Sequence, residues 1–284
     1  MKALVKASFF RLFKDRTFII TLIIGAILSF LIPLLYRFID KSAHSGSIFC
    51  SGQSLLISSL SPSANFGIAI PVNLVTFIIL QFSQGIIRNE VIVGNKRTKI
   101  YFSLLISGLA FTLLILIAYV GLSTLAGYLY SGFKWESMIE SGGTYYSIYS
   151  NEIILKLFLV ALFNYILITS FATFISSNLK HVGASISLVL IPIVILSIVP
   201  TILAPIYAAI PDNETLKIVV NVFKVLDPFY LIGVTNVSNS LVSYSVGGYK
   251  IEDLTFYGSL ISSIVYAGLF VFLGILVFNK KDLK

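Results

Sequence analysis

The stretch that decides the fold is TFIITLIIGAILSFLIPLLY, Thr17–Tyr36, which contains no charged side chain. A helix that crosses the hydrocarbon core of a bilayer needs about 20 predominantly apolar residues. Inside lipid, backbone amide and carbonyl groups must bond to each other, because no water is available to them. An uncharged apolar run of this length therefore predicts a membrane-spanning helix.

Five further apolar runs of similar length follow it along the chain. The 284 residues are 57% hydrophobic and 11% charged, and their mean hydropathy is +0.96. This composition is typical of integral membrane proteins and excludes an ordinary water-soluble domain. The predicted spans cover about 17–36, 65–87, 101–128, 153–176, 184–209 and 255–278. No segment between them is long enough to bury a core of its own, so we expect one all-α transmembrane domain over 1–284.

Lysine and arginine fall mainly on one side of these spans. If the N-terminus is inside, the cytoplasmic segments hold 13 of the 20 Lys and Arg residues. Cytoplasmic loops carry the excess of both residues, so the sequence predicts six spans with both termini inside. The net charge of +8 does not indicate nucleic-acid binding, because the cations follow the membrane side instead of forming a basic patch on a soluble domain.

Two amphipathic segments lie outside the predicted spans. Val5, Phe9, Leu12 and Phe13 follow helical spacing and predict an N-terminal helix in the cytoplasmic interface, with a cytosolic extension of the first span as the alternative. Residues 215–226 have apolar positions at helical spacing and predict a short extracellular amphipathic helix before the last span. Because residues 229–237, FYLIGVTNV, are apolar enough to enter the bilayer, a re-entrant pair of helices is the alternative.

The residues that carry enzymatic chemistry are missing from the sequence. There is no G-x-x-x-x-G-K-[ST] phosphate loop, so we expect no nucleotide hydrolysis by this chain. Both histidines lie outside the predicted spans, and no carboxylate pair or cysteine cluster offers a metal site. We therefore expect a non-catalytic protein with no cofactor and no metal of its own.

The polar residues inside the predicted spans are nearly all uncharged, whereas ion-coupled secondary transport usually needs charged groups within the membrane. Lys156 is the exception, and it lies close enough to the outer end of its span to extend its ammonium group to the interface. Gln81 and Gln84 in the second span, and Asn164 and Thr169 in the fourth, favour hydrogen bonds between helices. A lining of the substrate path is the alternative for these four residues.

The loop RNEVIVGNKRTK, Arg88–Lys99, joins the second and third spans and carries four cations and one acid. Glu90 together with Val91–Val93 can form a short amphipathic turn, and Gly94 is a residue that ends such a turn. The cations can be explained by topology alone or by contacts with anionic lipid or with a partner. The turn itself is better explained by a partner.

This arrangement of features resembles the membrane subunit of a type-2 ABC exporter, of the small kind found in Gram-positive bacteria. The most specific stretch is IIRNEVIVGNKRTKIYFSLLISG, Ile86–Gly108, which resembles the family pattern R-N-x-x-x-x-G-x-x-R-x-x-I-Y-x-S. The matching residues are Arg88, Asn89, Gly94, Arg97, Ile100, Tyr101 and Ser103. Elsewhere the resemblance is one of architecture.

The resemblance implies that residues 88–100 form a cytoplasmic coupling helix that docks into a groove on a separate cytosolic ATPase subunit. The residues that it assigns to this contact are Arg88, Asn89, Glu90, Val91, Ile92, Gly94 and Arg97. It further implies two ATPase copies that bind ATP and Mg²⁺, and a second permease subunit that is either identical or a paralogue, all at the bacterial plasma membrane. The neutral, aromatic-rich bundle favours export of an amphipathic peptide, such as an antimicrobial peptide, or of another lipophilic cargo. An ATPase-independent secondary transporter or channel is the competing class.

Overall fold

The computed structural model describes residues 2–43, 52–60, 68–132, 136–137, 146–147, 151–179, 181–210, 213–233 and 252–281. This part of the chain is helical, apart from a short antiparallel pairing of β1 (Glu136–Ser137) with β2 (Tyr146–Ser147). The helices are α1 (Lys2–Lys14), α2 (Arg16–Ala43), α3 (Gly52–Ser59), α4 (Ala69–Ser83), α5 (Ile86–Ile92), α6 (Arg97–Ser131), α7 (Asn151–Asn178), α8 (Val182–Ala209), α9 (Glu214–Leu226) and α10 (Asp253–Lys280).

Five of these helices are long and apolar enough to cross a membrane. They are α2, α6, α7, α8 and α10, and α4 with α5 forms a sixth candidate that is bent by 54°. The prediction of an all-helical protein with several helices suited to spanning a membrane is confirmed at this level. Residues 65–67, the start of the predicted second span, lie outside the described residues.

The bounds of the helices differ most from the predicted spans in two places. α2 continues to Ala43, past the predicted end at Tyr36. The predicted second span is not one straight helix, because α4 ends at Ser83 and α5 starts in a new direction at Ile86. An apolar run indicates that a segment prefers lipid but does not indicate where the helix bends.

α1 is a helix separate from α2, because Asp15 interrupts the chain between them. One carboxylate oxygen of Asp15 accepts hydrogen bonds from the Thr17 backbone amide at 2.9 Å and from the Thr17 hydroxyl at 2.8 Å, which caps the start of α2. The buried side chains of α1 are Leu4, Ser8 and Leu12. Leu12 is the one residue that this stripe shares with the predicted apolar face, and Phe13 of that face is exposed.

α7 lies in the middle of the bundle and packs against α4, α6, α8 and α10. The Thr169 hydroxyl forms a hydrogen bond of 2.9 Å with the Thr112 hydroxyl of α6. The Ser263 hydroxyl of α10 donates to Asn164 Oδ1 at 2.7 Å. Such bonds between membrane helices are worth about 0.6–2 kcal/mol each. They join α7 to two of its neighbours.

The chain after α9 lies between α8 and α10. Asn213 caps the start of α9 by accepting a hydrogen bond from the Leu216 amide at 3.1 Å, and residues 227–233 are buried. Gly233 packs against Pro200 of α8, where a Cβ atom would lie 2.6 Å from the proline ring. The Leu231 amide donates to the Ser259 hydroxyl of α10 at 3.4 Å. Residues 234–237 of the predicted re-entrant segment lie outside the described residues.

The two ends of α10 mark two ends of the bundle that differ in charge. We call the end at Asp253 the acidic end: there the Lys156 ammonium group lies 2.8 Å from Glu152 and 3.9 Å from Asp253. Lys156 therefore sits at a helix end in an ion pair. The opposite end, which we call the basic end, contains α1, α5, the start of α6 and the C-terminus of α10.

Near the basic end, the Tyr101 side chain of α6 is inserted against Gly274 of α10. Tyr101 is fully buried, and a Cβ atom at Gly274 would overlap its hydroxyl group. The Tyr101 ring also packs against Phe278 with 5.9 Å between ring centroids. Close approach of the two helices therefore requires glycine at position 274.

We expect Gly274→Ala to lower the free energy of unfolding by about 1–3 kcal/mol, because the added methyl group overpacks this contact. Gly268→Ala on the same helix is the matched control, since no atom lies within 4 Å of a Cβ at that position. Thermal unfolding of the purified protein in detergent measures both. Tyr101→Phe removes the overlapping hydroxyl and should restore part of the loss in the Gly274→Ala background. Equal melting temperatures for the two alanine variants would contradict the proposed packing.

Candidate functional site

The bend between α4 and α5 is made by a single glycine. Gly85 has φ +70°, in the left-handed region, which residues with a Cβ atom rarely adopt. The Asn89 amide then donates to the Gly85 carbonyl at 2.9 Å, so a new helix begins directly after the bend. Gly85 lies within the apolar run that predicted the second span, and it was not among the predicted site residues.

A second glycine ends α5. Gly94 has φ +94°, and the Asn95 backbone amide and side-chain amide both donate to the Glu90 carbonyl, at 3.2 and 3.1 Å. These bonds satisfy a carbonyl group that the last turn of a helix would otherwise leave unpaired. The turn after α5 is therefore held in place before α6 begins at Arg97.

The turn presents two large apolar side chains to the outside. Ile92 is 71% exposed and Val93 is 81% exposed. Arg88, Asn89, Lys96 and Lys99, which surround them in the sequence, are also exposed. We call Ile92 and Val93 the tip. It combines adjacent aliphatic groups with a polar, cationic surrounding.

An ion pair joins α5 to α1. Arg11 Nη2 lies 2.8 Å from Glu90 Oε1, and the Glu90 side chain is only 13% exposed. Arg11 Nη1 also donates to Gln81 Oε1 of α4 at 3.4 Å. Glu90 and Gln81 therefore meet at one guanidinium group.

A cavity of about 430 Å³ lies between α1 and α5, next to this ion pair. Its walls combine small and apolar groups with the polar groups of the ion pair and its neighbours. They are formed by Ala3, Leu4, Ala7, Arg11, Ile86, Asn89, Glu90, Val93 and Asn95. Val93 belongs both to the cavity wall and to the tip, so the two features adjoin each other.

Arg97 joins the start of α6 to the end of α10. Its Nη1 atom donates to the carbonyl oxygens of Asn279 at 2.8 Å and of Lys281 at 2.7 Å. Lys281 Nζ in turn donates to the Ser177 carbonyl at the end of α7, at 2.6 Å. Cations at helix C-termini satisfy unpaired carbonyl groups and complement the helix dipole. Arg97 thus has a structural task besides its contribution to topology.

The remaining motif residues lie inside the bundle. Ile100, Tyr101 and Ser103 are buried, and the Ser103 hydroxyl forms a hydrogen bond of 2.9 Å with the Ser8 hydroxyl of α1. The I-Y-x-S part of the pattern therefore attaches α6 to α1 and α10. The R-N-x-x-x-x-G part forms the turn that carries the tip.

The four residues considered for a substrate path are placed differently. Asn164 and Thr169 are fully buried and bond to α10 and α6, as the favoured interpretation of interhelical hydrogen bonding expected. Gln81 is buried beside Arg11, whereas Gln84 is exposed at the bend. The structure brings Gln81 to the basic end and leaves Asn164 and Thr169 in the core of the bundle.

Asp227 is a buried acid on the other side of the molecule, directly after α9. One carboxylate oxygen accepts a hydrogen bond from the Phe229 amide at 2.9 Å. Burial raises the pKa of Asp227 to about 7, and the Phe229 amide opposes that rise. Sequence reasoning did not select Asp227, because an acid before proline is an ordinary feature of turns.

Comparison of the chain with protein-family models, with curated proteins and with solved structures found no match in any of the three. Function therefore has to be inferred from the sequence pattern and from the geometry of the two ends.

Exchanging the charges of Arg11 and Glu90 tests the ion pair. We expect Arg11→Glu or Glu90→Arg alone to cost about 1–2 kcal/mol of unfolding free energy, because each leaves two like charges in a partly buried site. The double exchange should recover most of that loss, whereas Lys6→Glu, at an exposed position of α1, should have little effect. Thermal unfolding in detergent measures all four variants. Additive losses in the double exchange would contradict the pairing.

The Asp227 carboxyl should make stability depend on pH. Its pKa rises from an ordinary value of 3.8 to about 7 on folding, so the folded state holds the extra proton between these values. The free energy of unfolding should then fall as the pH rises from about 4 to about 7 and show no further change from this group above that. Asp227→Asn should flatten the dependence, which a series of melting temperatures across this range measures. An unchanged slope in that variant would contradict the assignment.

Proposed function

We propose that this chain is the membrane-spanning permease subunit of an ATP-driven ABC exporter in a bacterial plasma membrane. In this proposal the tip, Ile92 and Val93, inserts into a groove on a separate cytosolic ATPase subunit. The observation that supports it most is the tip itself: two exposed aliphatic side chains held by a fixed turn at the basic end. Full burial of one such side chain contributes about 1.5–3 kcal/mol.

The polar surroundings of the tip support an interaction site there. Arg88, Asn89, Lys96 and Lys99 are exposed beside it, so the tip lies where the surroundings are polar. Exposed apolar groups that are rimmed by polar residues commonly mark an interaction site. The cations can contact acidic residues of the ATPase or anionic headgroups.

In the proposed complex, Glu90 acts within the permease and does not reach the ATPase. Its carboxylate bonds to Arg11, so a displacement of α5 is passed to α1. Arg97 connects the start of α6 with the end of α10. Nucleotide-driven movement of the ATPase subunits would therefore act on α1, α6 and α10 through side chains that already bond to each other.

The same proposal places the basic end in the cytoplasm, with both termini inside. α1 lies in the cytoplasmic interface and turns its exposed Phe10 and Phe13 toward lipid, and Lys14 lies over the Phe10 ring at 4.4 Å. The segment after α9 enters the bundle from the extracellular side. Its contacts with Pro200 and Ser259 support the re-entrant form over a purely interfacial one.

The complex contains two ATPase copies, which bind ATP and Mg²⁺, and a second permease that is either a copy of this chain or a paralogue. The cargo is an amphipathic peptide or another lipophilic compound. The neutral character of the bundle supports this cargo, because its core is built from aliphatic and aromatic side chains with hydroxyl and amide groups between them. Asn164 and Thr169 already bond to neighbouring helices, which makes them poor candidates for direct cargo contact.

Replacing the tip tests the proposal. We expect Ile92→Ser with Val93→Ser to leave the melting temperature of the permease unchanged, because both side chains are exposed. When the tagged chain is purified in mild detergent from its own membranes, about tenfold less ATPase activity should co-purify with the variant than with wild type. A loss of about 1.4 kcal/mol in the free energy of association weakens binding tenfold. Export should fall with it.

The matched control is Ile218→Ser with Val219→Ser on α9, another exposed pair at the opposite end. This control should keep the associated ATPase activity. A tip variant with full associated ATPase activity and full export would contradict docking at the tip. Export by a wild-type preparation that binds no nucleotide would instead favour an ATPase-independent secondary transporter or channel.

A further inference from the structure

A second cavity, of about 320 Å³, is lined by residues of α7, α8, α9 and α10. Its walls are almost entirely apolar and rich in aromatic rings. They include Leu167, Phe171, Pro192, Leu196, Phe223 and Tyr266. This volume is at the lower end of the range of small-ligand sites, about 300–1,000 Å³, and such sites are typically apolar with a few polar groups that fix orientation.

Asp227 is the charged residue in the wall of this cavity. It is 2% exposed, and its Oδ1 atom accepts a hydrogen bond from the Phe229 backbone amide. Its Oδ2 atom has no hydrogen-bond partner among the described residues. Leaving a buried polar atom unpaired costs about 1–3 kcal/mol, and more when the atom is charged. A ligand that donates a hydrogen bond to Oδ2 removes this cost.

Two basic groups near the acidic end are already engaged in ion pairs. Lys224, one turn before Asp227, lies 2.5 Å from Glu252. Lys156 pairs with Glu152 and Asp253 at the acidic end. Neither ion pair includes the Asp227 carboxylate, and the cavity wall contains no basic side chain among its lining residues.

From the cavity and the unpaired oxygen we propose that this site binds a lipophilic amine. Its ammonium group donates a hydrogen bond to Asp227 Oδ2, and its hydrocarbon part fills the space between the aromatic walls. The site is separate from the tip and does not depend on the proposed export function. Ligand binding there can be measured without any partner protein.

The chemistry of the site selects the amine over other lipophilic compounds. A cation beside a carboxylate favours its ionised form and offsets the cost of burying that charge. An alcohol can also donate a hydrogen bond to the carboxylate, but it carries no positive charge and so does not offset the cost of burying the negative one. A carboxylic acid would place a second anion beside Asp227, and a lipid acyl chain would leave Oδ2 unpaired.

A series of three probes with the same hydrocarbon part tests the proposal: 4-phenylbutylamine, 4-phenylbutanol and 4-phenylbutyrate. Binding to the purified chain in phosphatidylcholine nanodiscs is measured by calorimetry at pH 7.5, with protein-free nanodiscs to subtract partition into lipid. We expect the amine to bind about tenfold more tightly than the alcohol, a difference of about 1.4 kcal/mol, and the carboxylate to bind more weakly than both.

Two variants separate the roles of charge and space. Asp227→Asn should reduce amine binding to the level of the alcohol and leave alcohol binding unchanged. Leu196→Trp should abolish binding of both probes by filling the cavity. If Asp227→Asn fails to fold, Asp227→Ser tests the role of the charge in its place.

Equal affinity of wild type for the amine and the alcohol would overturn the proposal, and so would an amine preference that persists in Asp227→Asn. Binding that Leu196→Trp leaves unchanged would show adsorption elsewhere and would also overturn it. A photoreactive diazirine derivative of the amine provides the positional check. Labelling of Phe223 or Tyr266 supports the site, whereas labelling confined to the exposed faces of α2 or α8 contradicts it.

Discussion

The arrangement of the basic end depends on one guanidinium group, that of Arg11. Its bonds to Glu90 and Gln81 bring α1, α5 and α4 together at a single point. These contacts are possible because Gly85 turns the chain by 54° after α4, which places α5 beside α1 and not in line with α4. A straight second span would carry Glu90 away from α1, and the cavity between α1 and α5 would not exist.

The same geometry explains why the tip is exposed. Glu90 faces inward to Arg11, and Asn95 closes the turn after Gly94 by bonding to the Glu90 carbonyl. Ile92 and Val93 then project from the other side of the turn. In the proposed complex, Glu90 transmits movement to α1, while Ile92 and Val93 contact the ATPase. Arg97 extends the connection to α10 through the Asn279 and Lys281 carbonyls.

The membrane-spanning helices could be predicted from the sequence, because the cost of placing charge and unpaired backbone groups in lipid forces long uncharged apolar runs. The α9 helix could also be predicted, since its apolar positions repeat at helical spacing and Asn213 precedes it as a cap. The bend at Gly85 could not, because one glycine inside an apolar run is compatible with a continuous helix. The Arg11–Glu90 pair could not either, since nothing local relates two residues so far apart in the chain. Asp227 becomes notable only when four helices enclose it, and burial of that kind depends on tertiary packing.

The most direct test of docking at the tip is photo-crosslinking from Val93 in intact cells. p-Benzoylphenylalanine at position 93 should form a crosslinked product that is labelled by azido-ATP, because the partner binds nucleotide. The same group at Val219 on α9 should give no nucleotide-labelled product. Crosslinks from position 93 that contain only lipid, or only a second copy of this chain, would contradict the assignment of the tip as the site of ATPase contact.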